Sequence, residues 1–150
     1  MGLEEDILQK KFRNEFEKMG INLIYTGSWL YNLNSAKLKK HNLTLEQFNV
    51  LRILRGQHPN PVMLNEVTRR MLDKSSNATR LVDKLKQKGL VNRKVCEQSR
   101  RQVDITITDK GLAVLSKIDT EQEEWLSTLK AITKTEAAEL NRLLDKLRGD

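Results

Sequence analysis

The chain has one cysteine, two prolines and no apolar run approaching the roughly 18 residues that would cross a bilayer. Cys96 by itself can form no intramolecular disulfide, so nothing points to an oxidising compartment. His41 and His58 stand apart from any cysteine or carboxylate cluster at ligand spacing, which argues against a metal site. No Ser-His-Asp, Cys-His, paired-carboxylate or phosphate-loop arrangement emerges, so an enzyme is not expected and no cofactor is implied. The amino terminus lacks a signal-peptide core, and there is no long linker, low-complexity tract or internal repeat. A single cytoplasmic domain over residues 1–150, with no membrane association, is the expectation.

What the chain has is charge, and it is unevenly placed. There are 27 basic and 20 acidic residues in 150, and charged residues make up 31%, above the usual quarter. Residues 74–108 hold nine basic and three acidic residues, a balance of +6, while the rest of the chain carries +1. Such concentration suits contact with phosphates; between nucleic acid and an anionic membrane surface, the lack of any membrane span favours nucleic acid, and double-stranded DNA is the expected partner.

The same window has a distinctive order. Leu64, Val67 and Met71 give a first helix an apolar stripe, and Asp73-Lys74-Ser75-Ser76 makes a turn. Ala78, Leu81, Val82 and Leu85 give a second helix its buried face, and Gly89 stops it. At about 100° per residue, Ser76, Arg80, Asp83 and Gln87 fall opposite that face, with Asn77, Thr79 and Lys84 on its flanks. Two β-branched strands follow, residues 90–95 and 103–108, around a polar tip of residues 96–102. This is the pattern of a winged helix-turn-helix, and small hydroxyl, amide and guanidinium groups at the start of its second helix can enter a major groove. Three readings stay open on these residues: a sequence-reading DNA-binding protein, a sequence-independent architectural one, and a winged-helix protein-interaction module. A module of the last kind would more often expose apolar residues on its second helix.

The motifs Asn42-Leu43-Thr44-Leu45-Glu46-Gln47-Phe48, Asn65-Glu66-Val67 and Thr79-Arg80-Leu81-Val82-Asp83-Lys84-Leu85 resemble the MarR (multiple antibiotic resistance regulator) family. Lys88-Gly89-Leu90-Val91 and Ile105-Thr106-Ile107-Thr108-Asp109-Lys110-Gly111 extend the resemblance, which spans roughly residues 23–147. It implies a mainly α fold with a small β-wing, a winged helix-turn-helix region over about 44–108, and dimerisation helices over about 1–40 and 109–150. It also implies a homodimeric repressor on a pseudo-palindromic operator, released by a small molecule. Ser75, Ser76, Asn77, Thr79, Arg80 and Lys84 would then face the major groove, and Arg93, Arg100 and Arg101 the neighbouring backbone or minor groove. The family's wing tip carries Asp-x-Arg; Ser99 stands at the first of these positions here, and Arg101 at the second.

Outside the window, Leu8, Phe12, Phe16 and Met19 predict an amphipathic helix over residues 3–18, and a second helix is expected over residues 21–40, apolar on two sides. Asn42 reads as a left-handed terminator, Thr44 with Gln47 as a capping box, and Phe48, Leu51 and Leu54 as an inward stripe. A short strand is expected at Val62-Met63. After the wing, Ile118, Trp125 and Ile132 recur seven apart and predict one helix over residues 109–132, about 36 Å long. Thr133 with Glu136 caps a last helix whose stripe is Ala137, Leu140, Leu144 and Leu147. A long helix with so little to cover it calls for a second subunit. Tyr25, Ser28, Trp29, Phe48, Arg52 and Arg55 are candidates for a pocket holding a small aromatic or phenolic effector, although aromatic residues at helical spacing are more often core. Cys96 lies between Arg93-Lys94 and Arg100-Arg101, where positive neighbours favour thiol reactivity. The oxidant-sensing cysteines of relatives lie in the amino-terminal helix region, so the resemblance carries no redox role to it.

Overall fold

The computed structural model describes residues 2–150, with the side chain of Arg100 outside the description. The chain divides into two compact units between Phe48 and Asn49.

In the first unit, α1 (Leu3–Asp6) is a single turn and α2 (Glu15–Lys39) is a continuous 25-residue helix. The helix expected over residues 3–18 is therefore broken, and that expected from residue 21 begins at Glu15. Asn14 explains both departures: its side chain accepts the Glu17 N–H at 2.9 Å and starts a new helix there. Leu8 has φ 56°, a left-handed conformation that ends the turn after α1. An ion pair from Lys18 to Glu4 then ties the segment back onto α2, and this hydrogen bond holds the Glu4 carboxyl below its usual range. Leu8 and Phe16 consequently face solvent rather than forming a buried stripe. The end of α2 follows expectation: Asn42 has φ 56°, and Thr44 and Gln47 exchange hydrogen bonds of 3.1 Å each way, opening α3 (Leu45–Gln57).

The second unit contains the rest of α3, with Val50, Leu51 and Leu54 buried, and then β1 (Val62–Met63), α4 (Leu64–Arg70) and α5 (Ala78–Gln87). Next come β2 (Val91–Cys96) and β3 (Ser99–Ile107), which close an antiparallel sheet of order β1-β3-β2. Val62 pairs with Ile105, and Val91 with Ile107, so the buried faces of all three strands align. Val67, Met71, Val82, Leu85 and Ile105 are at most 1% exposed and form a core to which each side chain contributes about 1.5–3 kcal/mol.

The hairpin is tighter than expected. Residues 96–102 are not a loop: the strands run on to Cys96 and Ser99, which pair, and only Glu97 and Gln98 turn the tip. The register jumps from Val95 opposite Val103 to Cys96 opposite Ser99, and this irregularity absorbs the polar residues that resembled a loop.

Beyond the wing, α6 (Asp109–Asp119), α7 (Gln122–Ser127), a 3₁₀ turn (Leu129–Ala131) and α8 (Lys134–Arg148) complete the chain. The single helix expected over residues 109–132 is interrupted. The Thr120 hydroxyl donates to the Lys117 carbonyl and the Ser127 hydroxyl to the Glu124 carbonyl, each at 2.6 Å, and such bonds compete with the helical ladder. Thr133 and Glu136 do form the capping box of α8, yet no residue of α8 is buried.

A candidate nucleic-acid interface

The turn between α4 and α5 is pinned by polar bonds rather than by packing. Asn49 Oδ1 accepts the Leu72 N–H at 2.8 Å, and Asp73 accepts both the Ser75 N–H at 2.9 Å and the Ser75 hydroxyl at 2.6 Å. Those two Ser75 bonds hold the Asp73 carboxyl below the usual aspartate range. The Ser75 hydroxyl proton is thereby committed within the turn. Ser76 lies in the turn rather than on the helix, and its Oγ is buried instead of facing outward as the helical projection put it. The projection assumed a helix that starts too early; Asn77 is the cap, and its Oδ1 accepts the Arg80 N–H at 3.1 Å. Asn77 therefore keeps its NH₂, and one lone pair of its carbonyl oxygen, for a ligand.

Thr79, Arg80 and Lys84 are exposed on α5, whose first turn has no acidic residue to offset the helix dipole. Arg80 and Arg101 make no side-chain ion pair among the described residues, in contrast to Arg69 and Arg70 on α4, which share Glu66 at 2.8 and 2.7 Å. Arg101 is brought to the same place as Ser76, Asn77 and Thr79: together with Asn65, Thr68 and Gln102 they line a groove of about 430 Å³ between α4, the start of α5 and the wing. The groove contains one cation and no acid, with hydroxyl and amide donors around it, a lining suited to an anionic backbone.

Asn65, Thr68 and Gln102 were not among the residues expected at the site. The first two could have been found from their place on the outer face of α4, but Gln102 depends on the irregular wing register. Arg93 is also differently engaged: its Nη1 donates to Asp83 Oδ1 at 2.7 Å. Arg100 lies outside the described side chains. Cys96 is half-buried beside Ser99 in the ladder. Lys88, near the end of α5, has its pKa lowered by burial and then by the charge of Lys84.

The candidate effector residues are spread along two helices. Tyr25, Ser28 and Trp29 are exposed on α2, and Ser28 lines an open depression with Leu23, Ile24, Gly27 and Tyr31. Phe48 is half-buried on α3, and Arg52 is exposed. Arg55 is held by Asp119 through bonds of 2.7 and 3.4 Å, so its guanidinium braces α3 against the end of α6. Among the described residues no group of three or more His, Cys, Asp or Glu could hold a metal, and no helix is long and apolar enough to cross a membrane.

The MarR family model matches residues 43–103, which include most of α3, the helix-turn-helix and most of the wing. HTH-type transcriptional regulator MgrA of Staphylococcus aureus is 30% identical over 109 residues, covering 73% of this chain and 72% of MgrA. The chain belongs to the MarR family. As a member it is a transcription regulator and not an enzyme. The fold agrees with that of a MarR mutant from E. coli complexed with operator DNA, at a TM-score of 0.79 and 24% identity, covering 92% of this chain and 99% of that one. Bordetella bronchiseptica BpsR, whose DNA binding is regulated by 6-hydroxynicotinic acid, matches at a TM-score of 0.76 and 24% identity over 88% of this chain and 99% of its own.

Proposed function

We propose that this MarR-family regulator is a cytoplasmic homodimer that reads a pseudo-palindromic operator and represses transcription until a small aromatic or phenolic effector releases it. The observation that carries the reading is the acid-free groove in which Arg101 of the wing meets Asn77 and Thr79 at the start of α5. In this reading Thr79 and Arg80 face base edges, Asn77 donates its remaining amide protons, and Arg101 follows the neighbouring phosphates or minor groove. The exposed leucines of α8 support a second copy, and an effector that meets the exposed aromatics of α2 is consistent with the hydroxyaromatic acid that regulates BpsR.

The test is selection of bound fragments from genomic DNA, followed by salt titration of affinity on the selected duplex and a scrambled one. Arg80→Ala is expected to narrow the preference for the selected duplex by about 1–3 kcal/mol. Arg101→Ala is expected to weaken both complexes by similar factors and to lower the salt slope by about 0.9 for each phosphate that the wing no longer neutralises. Equal affinity for every duplex would favour sequence-independent binding instead.

A further inference from the structure

The one acid on α5 is Asp83, and it lies on the helix meant to meet a polyanion. An uncompensated carboxylate there would repel phosphate. Its Oδ1 accepts from Arg93 Nη1 at 2.7 Å, and the two side chains are 48% and 31% exposed. Arg93 stands on β2, with its backbone opposite Ile105 of β3, so the pair joins the recognition helix directly to the first strand of the wing. A pair this exposed adds little to folding stability. The elements it joins are in any case held by Leu85, Val91 and Ile105, all at most 1% exposed. Its effect lies in where two charges are kept.

We propose that Asp83 and Arg93 form a charge-holding clamp: Asp83 withholds Arg93 from the phosphates while Arg93 screens Asp83, and the bond sets the wing strand against α5. The proposal rests on the DNA-binding reading above and makes both side chains positioning residues rather than contact residues. Withholding a cation matters because phosphate contacts raise affinity for every sequence alike. A guanidinium freed beside the groove would strengthen binding to the wrong duplex as much as to the right one.

Salt titration of the full chain on a selected and a scrambled duplex tests this. Asp83→Asn should release Arg93, tighten binding to the selected and the scrambled duplex by similar factors, and steepen the slope of log affinity against log salt by about 0.9 per protomer. Between roughly 50 and 200 mM salt that is about a threefold greater fall in affinity per protomer. Arg93→Gln should leave Asp83 unscreened and weaken binding to both duplexes, and the double variant Asp83→Asn with Arg93→Gln should return the slope to its wild-type value. Asp83→Glu, which keeps the charge, should retain the wild-type slope and affinity. A merely structural pair would change affinity without this pattern of slopes. An unchanged slope in Asp83→Asn, or a steeper slope that persists in the double variant, overturns the clamp. Wild-type protein that binds no duplex defeats the DNA-binding reading instead, so the two failures are told apart by the wild-type titration.

Discussion

The second helix of the helix-turn-helix, α5, and the final helix α8 begin alike and end in different situations. Asn77 caps the first through the Arg80 N–H; Thr133 and Glu136 cap the second reciprocally. Both carry an amphipathic stripe. On α5 that stripe is used, with Val82 and Leu85 fully buried, because the sheet and α4 lie against it. On α8, Leu140, Leu143 and Leu147 remain about half exposed, and Leu129 and Ile132 just before it are similar. Capping and periodicity thus determine that a helix forms, whereas burial depends on what the fold brings to its face. The winged region supplies its own cover; α8 displays the kind of apolar patch that another molecule covers.

The strongest way to break the comparison is in the winged core. Leu85→Ala is expected to cost about 2–5 kcal/mol, since the side chain is fully buried and its loss leaves a cavity, and urea unfolding measures it. Gly111→Ala should act in the same direction by overpacking, at about 1–3 kcal/mol: a Cβ there would meet the Leu90 carbonyl at 2.4 Å and Ile107 Cγ1 at 2.7 Å. On α8 a different effect is expected. Leu140→Glu with Leu147→Glu should leave the secondary structure in place and turn the proposed dimer into a monomer, with the loss of apolar burial at most about 1.5 kcal/mol per leucine because each is already about half buried. Sedimentation equilibrium across concentrations reads this directly. A variant that stays dimeric would mean that α8 is not the covered face.

How much of this was legible follows the range of each interaction. The Thr44–Gln47 and Thr133–Glu136 boxes and the Asn42 terminator involve residues within three positions of one another, and each could be read from residue type and spacing. So could the order of α4, α5 and the hairpin, because binary patterning switches there from helical to alternating. The breaks at Asn14, Thr120 and Ser127 escape such reading because apolar periodicity is blind to a side chain that bonds its own backbone. Asp83–Arg93 and Arg55–Asp119 are hidden for another reason. Opposite charges 10 and 64 residues apart meet only once strand register and helix crossing are fixed. The candidate site was accordingly readable as a set of exposed donors on α5, but not as a groove shared with Arg101, nor in which of its arginines are already paired.

A smaller effect separates the two roles of Asn77. Asn77→Ala removes the acceptor for the Arg80 N–H and is expected to cost about 1 kcal/mol in unfolding free energy, together with weaker DNA binding. Asn77→Ser keeps an acceptor at the cap but shortens the side chain and removes its NH₂. Stability near wild type with DNA affinity still reduced would assign the amide protons to the ligand; full recovery of both would make Asn77 a cap alone.

The smallest expected effect is on the turn that precedes α5, and it depends on pH. Asp73 accepts two bonds from Ser75, and its folded pKa is depressed below the ordinary aspartate value of about 3.9. A carboxyl with a depressed folded pKa contributes stability that is fully present above its unfolded pKa and is lost as pH falls through the folded one. Wild type and Asp73→Asn should therefore differ by a constant amount from neutral pH down to about pH 5, and the difference should shrink as the solution is acidified further. Because the group is fully exposed the change should be slight, and urea midpoints compared along an acid series are the measurement. A gap that widens on acidification would place the Asp73 pKa above its unfolded value, which would mean that the Ser75 bonds do not favour the charged form and that something other than this turn fixes the approach to α5.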